Sequence, residues 1–180
     1  MPSVLDDDIE AVIVTADQIA EKTAELAKVI DADYADREPL LVGVLKGAAM
    51  FLSDLALALE RPSTMEFMAV SSYGSSTTSS GVVRILKDLD RDINDRDVLI
   101  VEDVVDTGLT LNYLVRTLEL RGPSSVAAVT LLDRPYRRLV EDLPVRYVGF
   151  DVPDELYVGY GFDLDERYRE LPDLHLLKLG

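Results

Sequence analysis

The sequence predicts an α/β fold with a central, mostly parallel sheet flanked by helices. Three observations predict it. Continuous apolar runs at 40–45, 98–101 and 126–132 read as strands buried on both faces. Segments with helical spacing, 16–31, 48–59 and 109–121, alternate with such runs as in βαβ units. At 180 residues the chain suits one core and is short for a (β/α)8 barrel, which takes about 200 residues or more.

The elements follow in order. Thr15 with Gln18 forms a capping-box pattern, and Ile19, Thr23, Leu26, Ala27 and Ile30 recur behind it at helical spacing. Pro39 opens the strand LLVGVL (40–45), and a helix follows over 48–59. MEFMAVSS (65–72) reads as the next strand. The small polar run 71–81 fits a surface hairpin tip or a mobile lid equally well. A strand returns at 82–86, and 91–97 is a charged turn. The strand 98–101 leads into a helix over 109–121, which Gly122-Pro123 ends. A strand at 126–132 and short ones near 147–150 and 157–158 complete the reading. Neither repeat nor linker divides the chain, so 1–180 is expected to be one domain.

Composition excludes several classes. The chain contains no cysteine, and therefore no disulfide or thiolate site. The opening MPSVLDDDIE has neither a basic n-region nor an apolar core, and no apolar run approaches a membrane span. These features point to a cytoplasmic protein with no membrane partner. The net charge of −16 repels nucleic acid.

The segment VLIVEDVVDTGLTL (98–111) carries the chemistry. Glu102 and Asp103 stand together at the end of a buried strand, where they repel each other, lose hydration and need cations or hydroxyl donors. Asp106-Thr107-Gly108-Leu109-Thr110 then turns the chain into a helix whose first amides and hydroxyls form an anion site. No P-loop and no GxGxxG turn competes with this reading.

This segment resembles the phosphoribosyl-diphosphate signature of the type I phosphoribosyltransferases. The chain is most similar to their bacterial hypoxanthine(-guanine) branch. LKG (45–47), SSYG (71–74), ILKDLD (85–90), LLDRP (131–135) and VGYGFD (158–163) extend the likeness over 10–177 in matching order. The resemblance implies the type I fold, with a small hood formed by the chain ends. It implies transfer of the 5-phosphoribosyl group from phosphoribosyl diphosphate to a 6-oxopurine, hypoxanthine and also guanine. IMP or GMP forms and diphosphate leaves, as in purine salvage. It further implies Mg2+ and a homodimer or homotetramer.

Roles carry over position by position. Asp106, Thr107, Gly108, Leu109 and Thr110 are expected to bind the 5′-phosphate, and Asp106 to be the catalytic base near purine N7. Glu102 and Asp103 are expected on the ribose hydroxyls, directly or through Mg2+. Asp163 is a further metal ligand beside the base. Lys46 and Gly47, after a non-proline cis peptide, and Arg169 are expected on diphosphate. Ser72 and Tyr73 belong to a flexible lid over about 71–83. Arg134, Leu156 and Tyr157 are expected at the base, and two of these depart from the family. Arg134 replaces a lysine that contacts the 6-oxo group, and Leu156 replaces a stacking aromatic, a part that either Leu156 or Tyr157 could take. Two alternatives therefore stand: a phosphoribosyltransferase for another base, and an RNA-binding regulator on the same fold, which the acidity opposes. His175, the only histidine, and Asp6–Asp8 are read as outside the chemistry.

Overall fold

The computed structural model describes residues 8–72 and 83–178. Two sheets organise the chain. Strands β1 (Ile9–Val14), β2 (Leu40–Leu45), β3 (Thr64–Ser72), β4 (Val83–Lys87), β5 (Asp97–Val105), β6 (Ser125–Asp133), β7 (Val145–Asp151), β8 (Tyr157–Val158) and β9 (Leu174–Leu177) alternate with helices α1 (Ala16–Asp33), α2 (Ala49–Ala58) and α3 (Leu109–Glu119). The six-stranded sheet has the order β4-β3-β2-β5-β6-β7, with all neighbours parallel except the edge pair β3–β4.

The apolar runs are two-sided, as full burial requires. Leu41, Leu99, Val101, Ala127, Val129 and Leu131 face α1 and α2, whereas Leu40, Val42, Val98, Ile100 and Ala128 face α3. Alternate residues of each strand thus enter different cores, so no residue of the run can be polar without cost. α1 presents Ile19, Leu26, Ala27 and Ile30 to the first core. Its capping box forms: Gln18 N–H donates to Thr15 Oγ1 at 3.2 Å, and Thr15 N–H donates to Gln18 Oε1 at 2.9 Å.

Strand order fixes where a ligand can sit. From β2 the chain steps outward to β3 and β4, then returns to β5 on the other side of β2 and continues to β6 and β7. The direction reverses between β2 and β5, so the crevice of this sheet opens beyond their carboxyl ends.

The second sheet, β1-β9-β8, is antiparallel and joins the two ends of the chain into a hood. Neither β1 nor β9 was predicted from periodicity. Tyr160 O–H donates to Asp54 on α2 at 2.6 Å, and Ala16 N–H donates to Asp173 at 2.6 Å; both ties fix the hood to the main body. No helix among the described residues is long and apolar enough to cross a membrane. Tyr73 and most of the expected lid lie outside the described residues; Ser72 is the last residue of β3.

Candidate active site

The crevice beyond β2 and β5 holds a cleft of about 260 Å³. Gly47 from the β2–α2 turn, Glu102 and Asp103 from β5, Asp106, Thr107 and Gly108 from the β5–α3 turn, and Thr110 from the first turn of α3 line it. Sequence reading placed the acid pair just past a strand ending at 101, but β5 runs on to Val105 and carries both carboxylates within it. Their backbones are therefore fixed by ladder pairing to β6, Glu102 opposite Thr130.

Burial controls their charge. Burial pushes the Glu102 carboxyl well above the usual carboxylate range, and neighbouring Asp103 adds to the rise. Asp103 is pushed up to about 6, mainly by burial; the Val104 N–H it accepts at 2.7 Å and the Arg169 guanidinium pull it back. Two desolvated carboxylates in one cleft lower their energy by taking up cations or hydroxyl donors.

The turn after β5 is shaped for an anion. Gly108 sits at φ +83, a left-handed conformation that favours glycine, and it starts α3. Leu109 N–H makes a long contact of 3.4 Å with Thr107 Oγ1. The first helical amides therefore have little internal satisfaction, at a helix end where Gly108 and Thr110 line the cleft.

A glycine sets the opposite wall. A Cβ on Gly47 would overlap the Asp103 carboxylate, and one on Gly161 would overlap the Gly47 carbonyl. Hood, turn and acid pair are thus stacked at backbone contact. The Leu45–Lys46 peptide is cis. Lys46 lies at the exposed rim, where its Nζ is 2.7 Å from Glu166 Oε2. Arg169 pairs with Asp163 at 2.9 Å and donates to the Gly161 carbonyl. Asp163 accepts the Glu166 N–H at 2.8 Å.

Arg134 marks the other side of the cleft. It is buried, its Nη2 donates to the Glu155 carbonyl at 2.6 Å, and its guanidinium lies 5.3 Å from the Tyr157 ring centre. Tyr157 is buried beneath it and donates its O–H to the Pro153 carbonyl at 3.1 Å. Leu156 is 51% exposed. The Tyr157 ring is therefore committed to Arg134, and the Leu156 side chain is open.

Several buried polar atoms here make no hydrogen bond: Asp106 Oδ1, Arg134 Nε, Arg138 Nη1 and Arg169 Nε. Arg138 packs beside Gly108. Buried polar atoms are nearly always satisfied, so Arg134 Nε, Arg138 Nη1 and Arg169 Nε leave donors for polar partners from outside the chain, whereas Asp106 Oδ1 already has Arg137 Nε at 3.2 Å. Sequence reasoning missed Arg137, Asp154 and Glu166. Arg137 Nε lies 3.2 Å from Asp106, Arg137 Nη1 lies 3.0 Å from Asp154, and Glu166 pairs with both Lys46 and Arg169. The doubled arginine after LLDRP was the available signal for the first. Among the described residues no group of three or more acidic or histidine side chains converges to hold a metal alone. Glu102 and Asp103 could share one with ligand oxygens, the mode Mg2+ favours.

The profile of the phosphoribosyl transferase domain family matches residues 13–165. The chain is 56% identical over 170 residues to the hypoxanthine-guanine phosphoribosyltransferase of Mycobacterium avium, covering 91% of this chain and 83% of that one. It is 48% identical to the Bacillus subtilis enzyme of the same name over 95% of this chain and 94% of that one. The crystal structure of a hypoxanthine phosphoribosyltransferase from Staphylococcus aureus superposes with a TM-score of 0.93 at 43% identity, covering 99% and 96% of the two chains. The Trypanosoma cruzi enzyme in complex with its product IMP superposes at 0.88, with 42% identity and 96% coverage of each chain.

Two outcomes follow from this geometry. Gly47→Ala forces Asp103 to rotate, and urea unfolding is expected to show a loss of about 1–3 kcal/mol. Asp103→Asn removes a group whose folded-state pKa is raised from 3.8 to about 6. The aspartate's contribution to stability is full below about 4 and is lost as pH rises through 6. The asparagine variant should therefore unfold at higher urea than wild type at pH 8, with the difference closing by pH 4.

Proposed function

The chain belongs to the phosphoribosyltransferase family, and on that footing we propose that it transfers the 5-phosphoribosyl group from phosphoribosyl diphosphate to a 6-oxopurine, hypoxanthine or guanine. The products are IMP or GMP and diphosphate, as in purine salvage. The observation that carries this reading is the β5–α3 unit: a desolvated acid pair followed within a few residues by a left-handed glycine opening a helix. One half suits a ribose diol and the other a phosphate.

In this reading Thr107, Gly108, Leu109 and Thr110 hold the 5′-phosphate through amides and hydroxyls. Glu102 and Asp103 hold the ribose hydroxyls. Lys46, Gly47 and Arg169 receive the diphosphate, with Lys46 and Arg169 exchanging their contacts to Glu166 for phosphate oxygens. Ser72 and Tyr73 belong to the lid. Arg134 and Leu156 bound the purine, Arg134 donating to the 6-oxo group while Tyr157 supports its guanidinium from below.

The bond from C1′ to diphosphate breaks as the purine nitrogen attacks, and positive charge develops on the ribose. Exclusion of water protects that cation from hydrolysis. Asp106 accepts the proton lost from purine N7 and places negative charge close to the ribose. Mg2+ fits the site: Glu102 and Asp103 are hard oxygen donors short of a cation, and Asp163 stands near Asp103 on the hood side. When bound, it neutralises diphosphate charge. Subunit assembly as a homodimer or homotetramer, and work in the cytoplasm, complete the proposal.

A second acceptor class stays in the test because Arg134 and Leu156 both face the base. The protein, Mg2+ and phosphoribosyl diphosphate are incubated with hypoxanthine, guanine, xanthine, adenine or uracil, and diphosphate release is measured. Turnover is expected with hypoxanthine and guanine. Release with adenine or uracil alone rejects the 6-oxopurine assignment. Asp106→Asn should lower kcat by about 100-fold or more, with phosphoribosyl-diphosphate binding little changed.

A further inference from the structure

Four side chains of alternating charge close a ring at the base side of the cleft. Arg137 Nε lies 3.2 Å from Asp106 Oδ1, and Arg137 Nη1 lies 3.0 Å from Asp154 Oδ1. Arg134 Nη1 reaches the same two carboxylates only at 3.8 and 3.9 Å. The two arginines therefore do different things. Arg134 makes its short contact with the Glu155 carbonyl. Arg137 is the close ionic partner of both aspartates.

The two oxygens of Asp106 are unlike. Oδ1, next to Arg137, is buried and makes no hydrogen bond. The Asp106 side chain as a whole is 33% exposed, and almost none of that surface belongs to Oδ1. An aspartate carboxylate turns through a broad torsion and its two oxygens are equivalent, so nothing in its own side chain fixes the plane in which they lie. A guanidinium close to one edge fixes that plane and so aims the other oxygen.

We propose that Arg137, anchored by Asp154, is a positioning residue for Asp106: it holds Oδ1 and turns Oδ2 toward the purine. The proposal rests on Asp106 being the proton acceptor. Arg137 is half-exposed, and an ion pair at such a site adds little to stability, so its effect falls on orientation. Its attachment to Asp154 matters for the same reason. A side chain already fixed at one end loses little further freedom when it grips a second carboxylate. The arrangement also spares Arg134. With Arg137 close to Asp106, Arg134 Nη1 has no short ionic partner and is free to donate to the base.

The test compares steady-state kinetics of the full-length wild type, Arg137→Gln, Arg137→Lys and Asp154→Asn, with Mg2+, phosphoribosyl diphosphate and hypoxanthine. Arg137→Gln should lower kcat about 10-fold to 100-fold while KM for phosphoribosyl diphosphate stays within about twofold. Arg137→Lys should recover part of the loss, because it keeps the charge and loses the second contact. Asp154→Asn should lower kcat in the same direction by loosening the anchor. In the Asp106→Asn background, Arg137→Gln should change kcat by less than about twofold, since the oxygen it positions no longer accepts a proton. A wild-type kcat for Arg137→Gln beside a crippled Asp106→Asn overturns this inference and leaves Asp106 in its role. Equal losses from Arg137→Gln in both backgrounds overturn it as well. A wild-type kcat for Asp106→Asn removes the underlying reading itself.

Discussion

Glu102 and Asp103 are carried inside a strand that is otherwise apolar after its first residue, Asp97, and their desolvation constrains everything around them. Parallel pairing to β2 holds the strand up to Val101 and pairing to β6 runs on through the acid pair, so the carboxylates cannot retreat to solvent by a backbone shift. They are tolerated because pairing to β2 ends at Val101, at the reversal of sheet order, and leaves a crevice beside them. The other features of the cleft follow from that placement. Gly47 has no side chain because the Asp103 carboxylate fills the space of one. Gly161, at φ +97, lies where a Cβ would strike the Gly47 carbonyl. A defect in this stack therefore passes from the hood to the acid pair without any intervening flexible side chain.

The site has two electrostatic halves. Around Glu102 and Asp103, unpaired acidity lies beside helical amides. Across the cleft, the acids and arginines neutralise each other in the ring of Asp106, Arg137, Asp154 and Arg134. A net charge of −16 is compatible with an anion site when donors are concentrated locally, as they are at this cleft. Lys46 and Arg169 illustrate the economy of the arrangement. Both are held by Glu166, a surface residue that can give them up at little cost.

Local signals were legible in the sequence and long-range ones were not. The two-sided strands announce themselves as unbroken apolar runs, and the capping box at Thr15 and Gln18 spans three residues. The β5–α3 unit is also contiguous, so its chemistry could be read before any coordinates. The hood was different. β1 pairs β9 across more than 150 residues, and IEAVIV at 9–14 is mostly exposed, so it has no strong burial pattern of its own. Lys46 meets Glu166 across 120 residues, which no spacing rule anticipates. Arg137 and Asp154 look like ordinary surface charges in sequence, and only the return of the β7–β8 connection beside the β6 end brings them together.

Arg134 and Leu156, the two positions expected from the sequence to depart from the family, belong to one packing solution. A lysine at 134 would offer a point charge on a flexible stem, whereas arginine offers a planar fork. That plane is used three ways: one edge donates to the Glu155 carbonyl, one face lies over Tyr157, and another nitrogen points between Asp106 and Asp154. Burying such a group requires a π-face beneath it and carboxylates beside it, and the segment 154–157 supplies both. Once Tyr157 is committed to supporting Arg134, the neighbouring side chain takes the open position. In this chain that side chain is the aliphatic Leu156. The aromatic face of this segment thus lies under the Arg134 guanidinium, and the exposed side chain beside it is aliphatic.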